Sequence, residues 1–122
     1  MKSRDSLLKL KRFQAEEKLR RVTQIEAMIA DFDKRADELE EQIEAEQRRA
    51  GIYDTGHFAY PTFAKAAAQR RDNLRTSAAE LRVQCDAAKL EHDTALEELQ
   101  KLEAVADRDA SAGHEAASTR AG

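Results

Sequence analysis

The sequence predicts an all-α protein: two long helices forming an antiparallel coiled-coil hairpin, followed by a disordered C-terminal tail. Three observations predict it. Ala, Glu, Lys, Leu and Arg supply 69 of the 122 residues, the bias of a coiled coil or long helix. The helix breakers are confined, because Gly51, Gly56 and Pro61 fall within residues 51–61 while residues 1–50 and 62–112 hold neither Gly nor Pro. Apolar residues then recur every seven positions on both sides of that break. Leu, Ile, Val and Phe total only 22 residues and there is no Trp. So little apolar mass fills a narrow helix–helix seam, not the core of a compact enzyme with an enclosed pocket.

The first helix is expected from about Asp5 to Ala50. One seam position reads Leu8, Ala15, Val22, Ile29, Ala36, Ile43 and Ala50, and its partner reads Lys11, Lys18, Ile25, Phe32, Leu39 and Glu46. The connection covers residues 51–60. The second helix is expected from about Tyr60 to Ala106, with Tyr60, Ala67, Leu74, Leu81, Ala88, Ala95 and Leu102 at one seam position. Ala64, Arg71, Ala78, Cys85, His92, Leu99 and Ala106 hold the other. A sustained period of seven implies a left-handed supercoil with interlocking side chains. The hairpin thus occupies residues 1–108. The tail, residues 109–122, is small, polar and without a seam, so it cannot bury enough apolar surface to offset its ordering entropy.

Charge blocks choose the pairing. Residues 1–21 carry +5, residues 22–50 carry −5, residues 61–85 carry +3 and residues 86–122 carry −5. Folded antiparallel, the basic start of the first helix lies beside the acidic end of the second. The acidic stretch Asp31 to Glu46 then lies beside Arg70, Arg71, Arg75 and Arg82. A parallel homodimer would align like charges. An antiparallel dimer of single helices continuous through the connection is the remaining alternative.

Chemistry is sparse. His57, His92 and His114 include no pair at helical i, i+4 spacing, so no zinc pair is expected on a helix. Cys85 and His92 share a seam position and could face a common ligand, but a small core thiol and a polar register residue suffice to explain them. No phosphate-cradling Gly-rich loop or nucleophile elbow is present. The expectation is a non-enzyme without cofactor or metal. One Cys suits a reducing compartment, and no apolar run approaches the roughly 18 residues of a membrane span. The first residues lack the apolar stretch of a secretory signal, so a cytoplasmic, soluble protein is expected. A net charge of −3 does not suggest a dedicated nucleic-acid binder.

Two surfaces stand out. Lys2, Arg4, Lys9, Lys11, Arg12, Lys18, Arg20 and Arg21 gather at one end, with Leu7, Leu10 and Phe13 off the seam. They form either a solvated face that meets the acidic second helix, or a docking surface for an acidic partner or a membrane. At the other end Tyr53, Phe58, Tyr60 and Phe63 place four of the six aromatics within eleven residues. Tyr60 continues the heptad and can cap the seam, whereas Phe63 should flank it, partly exposed. Exposed aromatic clusters mark protein contacts.

Three stretches carry a family resemblance: Met1 to Leu7 with Leu10-Lys11-Arg12-Phe13-Gln14, Gln24 to Phe32, and His57 to Ala66 followed by Gln69 to Leu74. Together they resemble the alphaproteobacterial form of FliJ, the small coiled-coil component of the flagellar type III export apparatus. The resemblance covers about residues 1–105, and His57 to Lys65 is its most specific part. It implies an antiparallel coiled coil similar to the central stalk of rotary ATPases. Its open end would insert into the export ATPase ring and promote assembly and activity, making Lys2, Arg4, Lys9, Leu10, Lys11, Arg12 and Phe13 the contact candidates. The closed end would dock on the cytoplasmic domain of the membrane-embedded export gate and help to cycle substrate chaperones. Gln42, Tyr53, Phe58, Tyr60 and Phe63 are the candidates there. Glu46, Arg49 and Ala67 stand where enterobacterial members carry bulky apolar or aromatic residues, and Pro61 and the short connection also differ. The implied location is cytoplasmic, peripheral at the inner membrane face of the flagellar base through its partners, with no nucleic-acid role. Two other readings stay open: a homodimeric coiled-coil scaffold or adaptor, and a basic-end binder of nucleic acid or a membrane surface.

Overall fold

The computed structural model describes the backbone of residues 2–121 and the side chains of residues 3–113. Two helices, α1 (Lys2–Ala50) and α2 (Thr62–Ala121), make up the fold, and no strand occurs among the described residues. They pack against each other antiparallel within one chain, so no single helix runs through the connection.

Among the described residues thirteen are buried, and every one lies at a seam position given by the heptads. Its composition is small: six of the thirteen are alanine. Alanine lets two helices approach closely but buries little area at about 25 cal/mol per Å². The polar seam residues Lys11, Lys18, Glu46, Arg71 and His92 are half-buried, their charged or polar heads reaching the seam's edge. Ala50 alone among the seam positions is exposed, because α1 ends there.

The chain divides into two compact units: residues 1–22 with 87–122, and residues 23–86. In the first, Leu8 and Ala15 of α1 are buried with Leu99 of α2, and Ala95, Leu96, Leu102 and Ala106 pack around them. Ion pairs flank this seam as the charge blocks predicted. Lys11 Nζ lies 3.0 Å from Glu98, Lys18 Nζ 2.9 Å from Glu91, Arg12 3.5 Å from Glu103 and Arg4 2.6 Å from Asp109.

In the second unit Ile43 is buried with Ala64 and Ala67, and Leu39, Tyr60 and Ala68 pack against them. Arg71 pairs with Glu40 at 2.5 Å and Arg82 with Asp33. Arg75 is 3.9 Å from the same Glu40. Arg70, the fourth arginine expected beside the acidic stretch, lines a groove with Arg35, Glu38, Leu39 and Gln42 of that stretch and with Asn73 and Leu74.

Both helix ends at the connection have local causes. Gly51 has φ +72°, and its N–H donates to the Gln47 carbonyl at 2.8 Å. This is the left-handed cap that ends a helix at a glycine. The second helix opens two residues later than expected, at Thr62. Proline supplies no N–H but can accept, and the Pro61 carbonyl takes the first helical bond from Lys65 N–H at 3.1 Å. At its far end α2 continues past Ala106 to Ala121, since neither Gly nor Pro interrupts it before Gly113. Residues 107–113 of that extension are exposed, with Asp109 paired to Arg4 of α1. The side chains of 114–122, most of the expected tail, lie outside the described residues.

Candidate functional site

The open end belongs to the first unit. Four of its basic residues, Arg4, Lys11, Arg12 and Lys18, turn toward carboxylates of α2. Lys9, Leu10 and Phe13 are exposed and face away from the seam, Phe13 at 56%. The candidates therefore separate into a laterally neutralised set and an outward set of one cation and two apolar side chains. The side chain of Lys2 lies outside the described residues. Leu7 belongs to neither set: with Leu102 and Val105 it lines an apolar groove bordered by Lys11, Glu98 and Lys101. That groove was not legible in sequence, because Val105 is three residues beyond a seam leucine on the other helix.

The electrostatics of this end are those of surface pairs. The Glu91 carboxyl is held below the usual carboxylate range, first by the hydrogen bond from Lys18 and then by that lysine's charge. Such exposed pairs add little to stability, so their main effect is to fix which basic heads remain outward.

The closed end belongs to the second unit. Asp54 and His57 organise the connection. Gly56 N–H donates to Asp54 Oδ1 at 2.9 Å and Ala59 N–H to His57 Nδ1 at 3.0 Å. His57 N–H bonds the Asp54 carbonyl and Tyr60 N–H the His57 carbonyl, at 3.1 and 3.0 Å. Asp-Thr-Gly is a turn signal with a mechanism, since a short carboxylate can accept from the backbone two residues on. These bonds push Phe58 outward, 96% exposed, its ring stacked on His57 at 4.7 Å.

The four clustered aromatics do not act alike. Tyr60 is half-buried on the Ile43–Ala64–Ala67 cluster, and Gln47 Nε2–H donates to its hydroxyl at 3.0 Å. It caps the seam, as its heptad position suggested. Tyr53, Phe58 and Phe63 are exposed. Gln42 is exposed and lines the Arg35–Leu74 groove described above. Gln47 escaped the sequence reading, because its role depends on where Tyr60 lands across the connection.

The remaining candidates behave as structural residues. Cys85 is a buried free thiol. His92 is half-buried, with Nδ1 3.6 Å from Asp93. No group of three or more His, Cys, Asp or Glu that could hold a metal ion occurs among the described residues. No helix among them is long and apolar enough to cross a membrane. Comparison with known proteins adds no family: no family model, no curated protein and no solved structure matches the chain.

Proposed function

We propose that this chain is a non-enzymatic, FliJ-like stalk component of a bacterial flagellar type III export apparatus. It binds the export ATPase ring through its open end and meets the cytoplasmic domain of the export gate through its closed end. It also assists the handling of export chaperones. It works in the cytoplasm, held at the inner membrane face through these partners. Its contribution is positional: it presents surfaces to two machines and carries out no reaction of its own.

The observation that carries this reading is the sorting of charge at the open end. Carboxylates of α2 engage Arg4, Lys11, Arg12 and Lys18 laterally. Lys9, Leu10 and Phe13 are left as an outward surface. A large side chain flanked by a cation suits an anchor that a partner can desolvate in a pocket. The resemblance of His57 to Lys65 to the family's closed end supports the same assignment.

The test is ATP hydrolysis by the cognate flagellar export ATPase, titrated with the full chain and with a Leu10→Ala, Phe13→Ala double variant. Both side chains are exposed, so the variant keeps its seam, unlike a truncation that would remove buried Leu8. Stimulation by the full chain and its loss in the variant are expected. No stimulation of a competent ATPase by the folded chain would sink the proposal.

A further inference from the structure

We infer that the closed end is a lipid-contacting tip, which lays Phe58 into the interfacial layer of an anionic bilayer while Arg48 and Lys65 meet its headgroups. The inference concerns a direct contact with lipid, and it does not depend on the export assignment.

Three observations carry it. The first is presentation. Phe58 is 96% exposed at the turn's apex, with the small residues Thr55, Gly56 and Ala59 close in sequence. Tyr53 and Phe63 are exposed on either side in sequence. Held out in this way, the ring stacks on His57 but buries almost none of its surface in the protein. Phe is among the apolar side chains that interfacial segments bury at the boundary of headgroups and acyl chains.

The second observation is the backbone. The amides of Gly56, His57, Ala59 and Tyr60 all donate within the turn. Unpaired amides become costly where water thins out toward the acyl chains. This turn has already satisfied four of them internally. Those four stay paired as water is withdrawn from the turn.

Charge is the third. The chain as a whole is −3, yet residues 47–70 hold four basic residues and one acidic residue. Arg49 is engaged by Glu46. Arg48 and Lys65 have no acidic partner among the described residues. The single acid, Asp54, spends one carboxylate oxygen on Gly56 N–H. The tip is thus complementary to an anionic surface, and each basic residue near such a surface strengthens binding about five-fold.

The experiment is flotation of the full chain with vesicles of equal phosphatidylglycerol and phosphatidylcholine, against vesicles of phosphatidylcholine alone. Binding to the anionic vesicles that weakens steeply with salt is expected, with little binding to the neutral ones. Phe58→Ala should weaken it at least about ten-fold. Arg48→Gln with Lys65→Gln should weaken it by about twenty-five-fold, five-fold for each residue. Val83→Ala, at another exposed apolar site away from the tip, should leave it unchanged. Because the chain has no Trp, a Phe58→Trp variant reports directly: its indole emission should shift to the blue on anionic vesicles. Absence of binding, or an indole emission that stays unshifted when that variant is bound to vesicles, overturns the inference. So does binding that survives Phe58→Ala but is lost on Lys9→Gln with Arg12→Gln, which would assign the lipid contact to the open end.

Discussion

Replacing Ile43 by Ala tests the seam where it is best defined. Ile43 is 4% exposed, between Ala64 and Ala67 of α2, with Leu39 and Tyr60 beside it. The change removes three buried carbons, worth about 2.4 kcal/mol at about 0.8 each. The better helix propensity of Ala returns about 0.4 kcal/mol. Because alanines form the opposite wall, little side-chain mass can move into the space, so a cavity penalty adds to the loss. A net destabilisation of about 2–3 kcal/mol is expected. The companion is Val83→Ala, in the same unit but 71% exposed. It loses two carbons that were already in water, and gains helix propensity, so a change within about 0.5 kcal/mol is expected. Urea unfolding followed by circular dichroism measures both. Equal losses in the two variants, or an Ile43→Ala loss below about 0.5 kcal/mol, would refute the register on which the fold rests.

Three further outcomes follow from local geometry. The Arg71 guanidinium is held above its usual value chiefly by the hydrogen bond to Glu40. A raised cation stabilises at every pH below its unfolded value and fades only at higher pH. A Glu40→Gln, Arg71→Met cycle should therefore give a coupling of about 0.5–1 kcal/mol that stays constant through the neutral range. Glu91 shows the opposite sign: its lowered value means that the Lys18 pairing favours folding above the ordinary carboxylate range, near 4.3, and is lost as pH falls through the folded value. Carbon-detected NMR titration should show the Glu91 midpoint rising in Lys18→Gln, and an unmoved midpoint would contradict the pairing. Gly51→Ala meets no atom within 4 Å but inherits φ +72°. It should cost about 1–2 kcal/mol through backbone strain alone, measured as a fall in urea midpoint.

Where the helices lie and which residues face the seam could be read from the residues in order. Both properties are local: Gly51, Pro61 and the heptads each act within a few residues of themselves, and all thirteen buried residues obey them. The charge blocks likewise pointed to the antiparallel pairing, because Coulomb attraction along a flank depends on the sum of several residues rather than on any one pair. Packing in three dimensions settles what the period of seven cannot carry. Tyr60 turns inward to Gln47 while Phe58, two residues earlier, turns fully outward. That difference is made by Asp54 and His57 binding the turn's amides, and by the room that Ile43, Ala64 and Ala67 leave for the Tyr60 ring. The heptad already marked Tyr60 as the cap; the geometry of the turn added its partner Gln47 and the full exposure of Phe58. The open end follows the same logic. Which cations stay outward depends on which carboxylates of α2 stand opposite them, and that is a relation between residues about 73 to 105 apart in the chain.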